Sequence, residues 1–345
     1  MKLILAPLAA LSHSGLRSLI HRFSDPDEYY SEMIHAPSLL ARGLFEEWYL
    51  RTNPVPEKLV WQLTSPKAEA LSAAVPIVLR HGGIGIDVNM GCCAPPIVRS
   101  GAGFAWMLKP FETTAAMLRA VRKAIEQYEL TADCAGSIRL SVKLRLGVTE
   151  DYPFLLRFCK MLEAEGVSLI TLHPRLQRQS YGRPAKHEYT AQLAQDLHIP
   201  VYGNGDIDSV DAFVAAAARY PCAGWMIGRG AVQKPWLFQE IRSRVSDGCV
   251  HENAGMYSVN LEETAMLFLQ LLRTEQPAAF HTTRAQRFFQ FFCANFSFAH
   301  YCKTKLLHAA GLEEAEAELR AYFEQVPQDR VLRYQGFSMK KGSEL

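Results

Sequence analysis

Eight short β-rich apolar runs, separated by stretches of crossover-helix length, alternate along the first two thirds of the chain, and unbroken helical periodicity follows from about residue 240. These two observations predict an α/β fold, a (β/α)8 TIM barrel followed by a C-terminal all-helical domain. A length of 345 residues suits that pairing, and an apolar fraction of 49% can fill a large core. That fraction, with only 22 glycines and 18 prolines, excludes disordered and collagen-like classes.

The first strand is LILA at 3–6. Lys2 and the LILAPLAAL after it also have the charge and apolar core of a secretory signal, but removing them would leave the barrel unclosed. SEMI at 31–34, KLVWQL at 58–63, GIDVNM at 85–90 and IRLSVKLRL at 138–146 supply the next four strands. SLITLH at 168–173, IPVYGN at 199–204 and AGWMIG at 223–228 complete the eight. Crossover helices are expected at 66–80, 112–129, 151–165, 189–197 and 208–219. A doubly wound sheet would need a glycine-rich turn after its first strand, where this chain reads APLAAL. The expected domains are a barrel at 1–240, a bundle of about four helices at 241–326 and a loosely held polar tail at 327–345.

The longest uncharged stretch, 288–302, has fifteen residues interrupted by Gln290, Asn295 and His300, so no membrane-spanning helix is expected. Eight irregularly spaced cysteines in so long a chain do not make a disulfide framework, and no CxxC pair points to a metal. Most are read as buried thiols in a reducing, cytoplasmic compartment, with no metal bound. Thirty-seven basic and 35 acidic side chains leave +2, a total that says nothing about a polyanionic partner.

Barrel chemistry gathers at the carboxyl ends of the strands. Gln62 ends the third, Asn89 and Cys92 the fourth, Lys143 and Arg145 the fifth, His173 and Arg175 the sixth, Asn204 and Asp206 the seventh, and Arg229 the eighth. Any one polar strand end is commonplace; six of eight converging mark a site. GNGDI at 203–207 and IGRGA at 227–231 lie one βα unit apart, where glycines admit a phosphate close to backbone N–H groups and Arg229 can pair with it. Cys92 follows Gly91 on a loop, and an ordinary thiol there is a proton donor at neutral pH; the alternative is a buried structural cysteine.

In order along the chain, EMI at 32–34, VWQL at 60–63, IDVNMGC at 86–92 with RSGAG after it, VKLRLG at 142–147, LHPR at 172–175 with Tyr181 beyond, IPVYGNGDI at 199–207 and MIGRGAVQKPWLF at 226–238 resemble the tRNA-dihydrouridine synthases. The resemblance implies an FMN-dependent barrel that takes hydride from NADPH, passes it to carbon 6 of a tRNA uracil and protonates carbon 5 from a cysteine. Cys92 matches that acid. Pro7, Leu8, Gln62, Lys143, His173, Asn204, Gly205, Asp206, Gly228 and Arg229 match flavin positions, while Asn89, Arg145 and Arg175 match positions facing the substrate. Two departures stand out: Cys93 replaces the family's usual proline after the catalytic cysteine, and Pro174 replaces a glycine. Spacing from Asn89 and Gly91 favours Cys92 over Cys93 as the acid.

Local charge is informative where the total is not. No acid occurs between Glu165 and Glu188, a window with Arg175, Arg178, Arg183 and Lys186. Another acid-free window, from Glu275 to Glu313, holds Arg284, Arg287, Lys303 and Lys305 among eight aromatics. The basic residues Arg178, Arg284, Arg287, Lys303 and Lys305 are the expected RNA contacts, and most aromatics are assigned to the bundle core. A monomer is expected. The competing readings are a flavin barrel acting on a free small molecule and a non-catalytic tRNA-binding module.

Overall fold

The computed structural model describes every residue except 133–136, 247–248, 251–256 and 335–345, so Cys134 lies outside the described residues. The sheet strands are β1 (Lys2–Leu5), β2 (Glu28–Tyr30), β3 (Ile34–His35), β4 (Leu59–Thr64), β5 (Gly85–Met90), β6 (Arg139–Gly147), β7 (Leu169–Leu176), β8 (Val201–Asn204) and β9 (Gly224–Ile227). All pairings are parallel, and β2 pairs with both β1 and β4 while β9 returns to β1, which closes an eight-stranded ring with the two-residue β3 alongside β4. Crossover helices include α1 (Ser14–Phe23), α2 (Ala68–Leu79), α3 (Phe111–Ala132), α4 (Tyr152–Ala164), α5 (Glu188–Asp196) and α6 (Val210–Arg219). The expected TIM barrel is therefore present.

Side chains alternate in and out along each strand. Outward-facing Leu5, Trp61, Val88, Val142, Ile170 and Trp225 pack into the shell between sheet and helices. Inside, Ile4, Tyr30, Val60, Leu169, Tyr202 and Met226 form an apolar layer. Below that layer, Glu28 accepts hydrogen bonds from Lys2, both terminal nitrogens of Arg139 and the Tyr202 hydroxyl. Above it, the register sets Gln62 beside Asp87, Asp87 beside Ser141, Lys143 beside Thr171 and Arg145 beside His173. A one-residue slip of any strand would turn its member of this polar layer outward.

The second barrel strand is EYY at 28–30, ahead of the expected SEMI at 31–34. Glu28 reads as a surface residue, yet it is 1% exposed because Arg139, Lys2 and Tyr202 satisfy it inside the barrel. SEMI supplies instead the buried Glu32 and the start of β3.

After α7 (Arg229–Gln233) and α8 (Leu237–Arg244), the bundle comprises α9 (Leu261–Glu275), α10 (Ala278–Phe292), α11 (Ala299–His308) and α12 (Leu312–Gln325). Phe268, Phe288, Phe289, Phe292, Phe296 and Phe323 are buried between them. The expected loose tail does not begin at 327: residues Val331–Tyr334 pair antiparallel with Tyr257–Asn260. Asp329 fixes that return, accepting from the backbone N–H and hydroxyl of Ser297 and from the Tyr322 hydroxyl.

Burial pushes the Glu28 carboxyl up, and the bonds from Arg139 and Lys2 outweigh it, leaving a value of about 2. A carboxyl lowered on folding adds stability above its unfolded value, and that contribution is lost as pH falls from about 4.5 through about 2. Glu28→Gln should therefore cost about 3 kcal/mol at neutral pH, since it strands the Arg139 charge. It should also flatten the acid limb of the stability curve. Urea midpoints across pH 2–7 check both, and an unchanged midpoint at pH 7 would show that the barrel floor does not depend on this cluster.

Candidate active site

The polar layer is joined by hydrogen bonds into one relay. Asp87 has no solvent exposure; its carboxylate accepts from Gln62 Nε2 at 2.8 Å and from the Ser141 hydroxyl at 2.8 Å. Gln62 Oε1 in turn accepts from Asn89 Nδ2 at 2.9 Å, which fixes which end of each amide is nitrogen. Asn89 Oδ1 then accepts the backbone N–H groups of Gly91 at 3.2 Å and Cys92 at 2.9 Å. The loop carrying the thiols thus hangs from a carboxylate in the barrel interior. Burial pushes Asp87 up to about 6, against the bonds from Gln62 and Ser141 and the charge of Lys143.

RSGAG closes the loop from the other side. Phe104 N–H donates to the Cys92 carbonyl at 3.0 Å, and Gly103, at φ +59°, leaves no room for a side chain. A Cβ there would lie 2.8 Å from the Cys92 carbonyl oxygen and 2.8 Å from Ile97 Cγ2. Both thiols are half-buried and unbridged. Cys93 packs on the core with its sulfur against the Gly91 carbonyl, and burial raises its pKa.

Across the mouth stand four basic side chains in different states. Lys143 lines the central cavity, and no hydrogen bond or ion pair reaches its ammonium among the described residues. Burial and the neighbouring Arg145 push it down to about 8, with Asp87 opposing. His173 is held well below its ordinary range by burial and by Lys143, Arg145 and Arg175. It is neutral, and because Arg175 donates to Nε2 at 2.9 Å, its proton sits on Nδ1. Arg175, 1% exposed, also bonds the Arg183 and Tyr181 carbonyls and the Asp206 carboxylate. Arg145 donates to the Gly91 and Leu176 carbonyls and the Tyr181 hydroxyl.

The cavity has a volume of about 730 Å³ and is lined by the β1 loop (Pro7, Leu8), by Lys143, His173, Asn204, Gly205 and Asp206, and by Gly228 and Arg229. Gly205, at φ +127°, packs so closely that a Cβ would meet Ala185, Arg175 and His173 within 3.1–3.2 Å. Asp206 holds the left-handed conformation at φ +58° and ties the β7 loop to the β8 loop through Arg175 and the Ala185 N–H. Asn204 donates to the Met226 carbonyl at 2.7 Å. Arg229 is exposed, lying over the Tyr181 ring at 4.6 Å. Phe291 and Arg287 of α10 complete the wall, so the helical segment is part of the site.

Lys143, His173, Arg175, Asn204, Asp206 and Arg229 thus meet on the cavity wall, while Gln62, Asn89, Cys92 and Arg145 are joined by the hydrogen-bond relay and the Gly91 carbonyl, and several of the set serve as scaffold. Arg175 and Arg145 are buried and bound to protein partners, and in this conformation neither presents a free guanidinium to RNA. Arg284 is no RNA contact: it is 3% exposed and donates to Glu32 Oε2 at 2.6 Å. Exposed Arg178 and half-buried Lys303 keep an outward position, whereas Lys305 lies 3.6 Å from Glu318. Asp87, Gly103 and Glu32 fall within the IDVNMGC, RSGAG and EMI motifs without an assigned role, and Ser141 lies outside every motif. The signal for Asp87 and Ser141 was their place two residues before Asn89 and Lys143, on the same face of their strands.

Gly103→Ala should cost about 1–3 kcal/mol through its backbone conformation and the clash at Cys92. It should also loosen the thiol loop, so that iodoacetamide labels Cys92 faster by peptide mass spectrometry. Gly182→Ala, which meets only the Ser180 hydroxyl at 3.9 Å, serves as the neutral control. Identical Tm and labelling rate in Gly103→Ala would show that this contact does not set the loop.

A family profile described as "Dihydrouridine synthase (Dus)" matches residues 4–341. The chain is 28% identical over 240 residues to the "Probable tRNA-dihydrouridine synthase 1" of Synechocystis sp., a match covering 70% of this chain and 64% of that protein. It is 28% identical over 263 residues to the "tRNA-dihydrouridine(16) synthase" of Neisseria meningitidis, covering 73% and 74% of the two chains. To the "tRNA-dihydrouridine(47) synthase [NAD(P)(+)]-like" of Rattus norvegicus it is 32% identical over 246 residues, covering 70% of this chain and 36% of that one. Among solved structures it is similar to the old yellow enzyme homologue of Zymomonas mobilis, at 11% identity and a TM-score of 0.48 over 71% of this chain and 89% of that one. With the family's profile running through the barrel, the site and the helical segment alike, this chain belongs to the dihydrouridine synthase family.

Proposed function

We propose that this chain reduces uridine in tRNA to 5,6-dihydrouridine, with FMN held in the barrel cavity and NADPH as its reductant. The observation that carries this reading is the Lys143 ammonium, set in the cavity wall without a protein partner among the described residues. A cation so placed suits the electron-rich carbonyl edge of a flavin. The cavity volume and the Gly205 cradle beside Arg229 and Arg287 fit the ring and phosphate of such a group. FMN, when bound, supplies the hydride for carbon 6.

The chain's own residues do the rest. Lys143 and neutral His173 line the cavity and would border the ring, which Pro7, Leu8, Gly228 and Asn204 would enclose. Gln62 and Asn89 each use one N–H of their amide within the relay, and the second on each would be the group offered to flavin or base. Cys92 holds the proton destined for carbon 5, with its backbone fixed by Asn89 and Gly103. The target uridine must leave its stack to reach this depth.

Cys92→Ala should lower turnover by at least about a hundredfold while leaving tRNA and flavin binding intact, and Cys93→Ala should retain activity. Mass spectrometry of tRNA nucleosides from deletion cells complemented with each variant decides this: dihydrouridine unaltered by deletion, or restored by Cys92→Ala, would sink the reading. A second test concerns Lys143. Because its pKa is lowered to about 8, pairing with flavin must take up a proton above that pH, so FMN affinity should fall up to about tenfold per pH unit there. Lys143→Arg, charged throughout, should abolish the slope in fluorescence titrations from pH 6 to 10; the same slope in the variant would refute the assignment.

A further inference from the structure

The aromatic residues of the acid-free window do not all enter the core. Phe298 is 57% exposed and Tyr301 51% exposed, whereas Phe288, Phe289, Phe292 and Phe296 are buried. Phe298 is the N-cap residue of α11 and Tyr301 lies in its first turn. A spacing of three places both rings on one side of the helix. The platform is rigidly mounted: Phe298 N–H donates to the Tyr322 hydroxyl, and the preceding Ser297 is bound twice by Asp329. It is also close to the cavity, since Asn295 Nδ2 donates to the carbonyl of Gln233, a residue of the cavity wall, at 2.7 Å. Three residues of chain span at most about 11 Å. Phe298 therefore stands within about 11 Å of Asn295, whose side chain touches the wall.

We infer that Phe298 and Tyr301 form a stacking platform for an unpaired base of the tRNA, outside the base that enters the cavity; this rests on the function proposed above. Two exposed rings on one side of a helix offer a flat apolar face, and the choice of an RNA base over an apolar protein surface comes from charge. No acidic side chain occurs from 276 to 312, and Arg287 and Lys303 of the same window have no acidic partner among the described residues. The acid beside Phe298, Asp329, is buried and turned to Ser297 and Tyr322, and those of α12 are directed partly to Lys305 and Arg273. Flat π-faces on an acid-free segment that also carries unpaired cations match a base and its phosphates.

The test measures binding of labelled, catalytically competent tRNA to the flavin-loaded full chain over a salt series. Phe298→Ala with Tyr301→Ala should weaken binding by about ten- to a hundredfold while leaving flavin content, Tm and the slope of log Kd against log salt unchanged, because stacking releases no counterions. Lys303→Ala should instead lower that slope. Phe298→Trp with Tyr301→Phe should retain wild-type affinity. Equal affinity in the double alanine variant and wild type would overturn the platform while leaving the proposed function standing. Failure of wild type itself to bind tRNA would overturn the function. A self-associating wild type that becomes monomeric in the double alanine variant would assign the patch to a second copy of the chain and likewise overturn the inference.

Discussion

A carboxylate with no access to water is tolerable only when hydrogen bonds replace its hydration, and Asp87 makes the rest of the mouth answer to that requirement. Gln62 and Ser141 satisfy it, Asn89 satisfies Gln62, and the Cys92 loop satisfies Asn89. Each link has one orientation, because reversing an amide would set donor against donor. The network therefore converts a buried charge into a fixed backbone position for a thiol on a loop. Lys143 lies above the same carboxylate, which partly offsets the burial that lowers its pKa. Acid, amides and cation are thus coupled parts of one buried arrangement.

The barrel does not complete its mouth alone. Glu32 accepts from the Ala10 N–H at 2.6 Å with one carboxylate oxygen and from Arg284 of α10 with the other. Ala10 sits at φ +60°, an unusual conformation for a side-chain-bearing residue, and the strand-to-helix turn it occupies carries Pro7 and Leu8 into the cavity. Ser12 holds Leu8 by hydrogen bonds in both directions, and Arg17 grips the Ser12 carbonyl. A buried ion pair contributes little net stability against packed apolar residues, but its geometry is specific. Here that specificity joins the helical segment to the turn that shapes the central cavity.

These ties explain what the sequence could and could not convey. Period-two alternation exposed the strands and, through their ends, Gln62, Asn89, Lys143, His173 and Asn204, because a closed barrel forces alternate residues inward. The same logic would have reached Asp87 and Ser141 had the inward face been followed one step deeper. Glu28, Glu32 and Arg284 were illegible for a different reason. Their burial depends on partners distant in sequence, Arg139 for the first and each other for the second and third. A charged residue beside an acid-free run reads as surface until its partner is located in space.

The corrected positions also divide the cations into two sets. Arg175 and Arg145 bind protein carbonyls, a carboxylate and a hydroxyl, and they hold the β7 loop against the barrel. Lys143, Arg229 and Arg287 line the cavity, where a phosphate and a flavin ring would meet them. Arg178 and Arg183 border a second depression on the β7 loop, lined also by Lys186 and Glu150. Arg183 and Pro184 lie on the walls of both. Because Arg175 fixes that shared loop through the Arg183 carbonyl and Asp206, ligands of the two depressions would meet one braced segment. Binding in either depression then needs little further ordering of the loop, because the contacts of Arg175, itself on the cavity wall, already brace it.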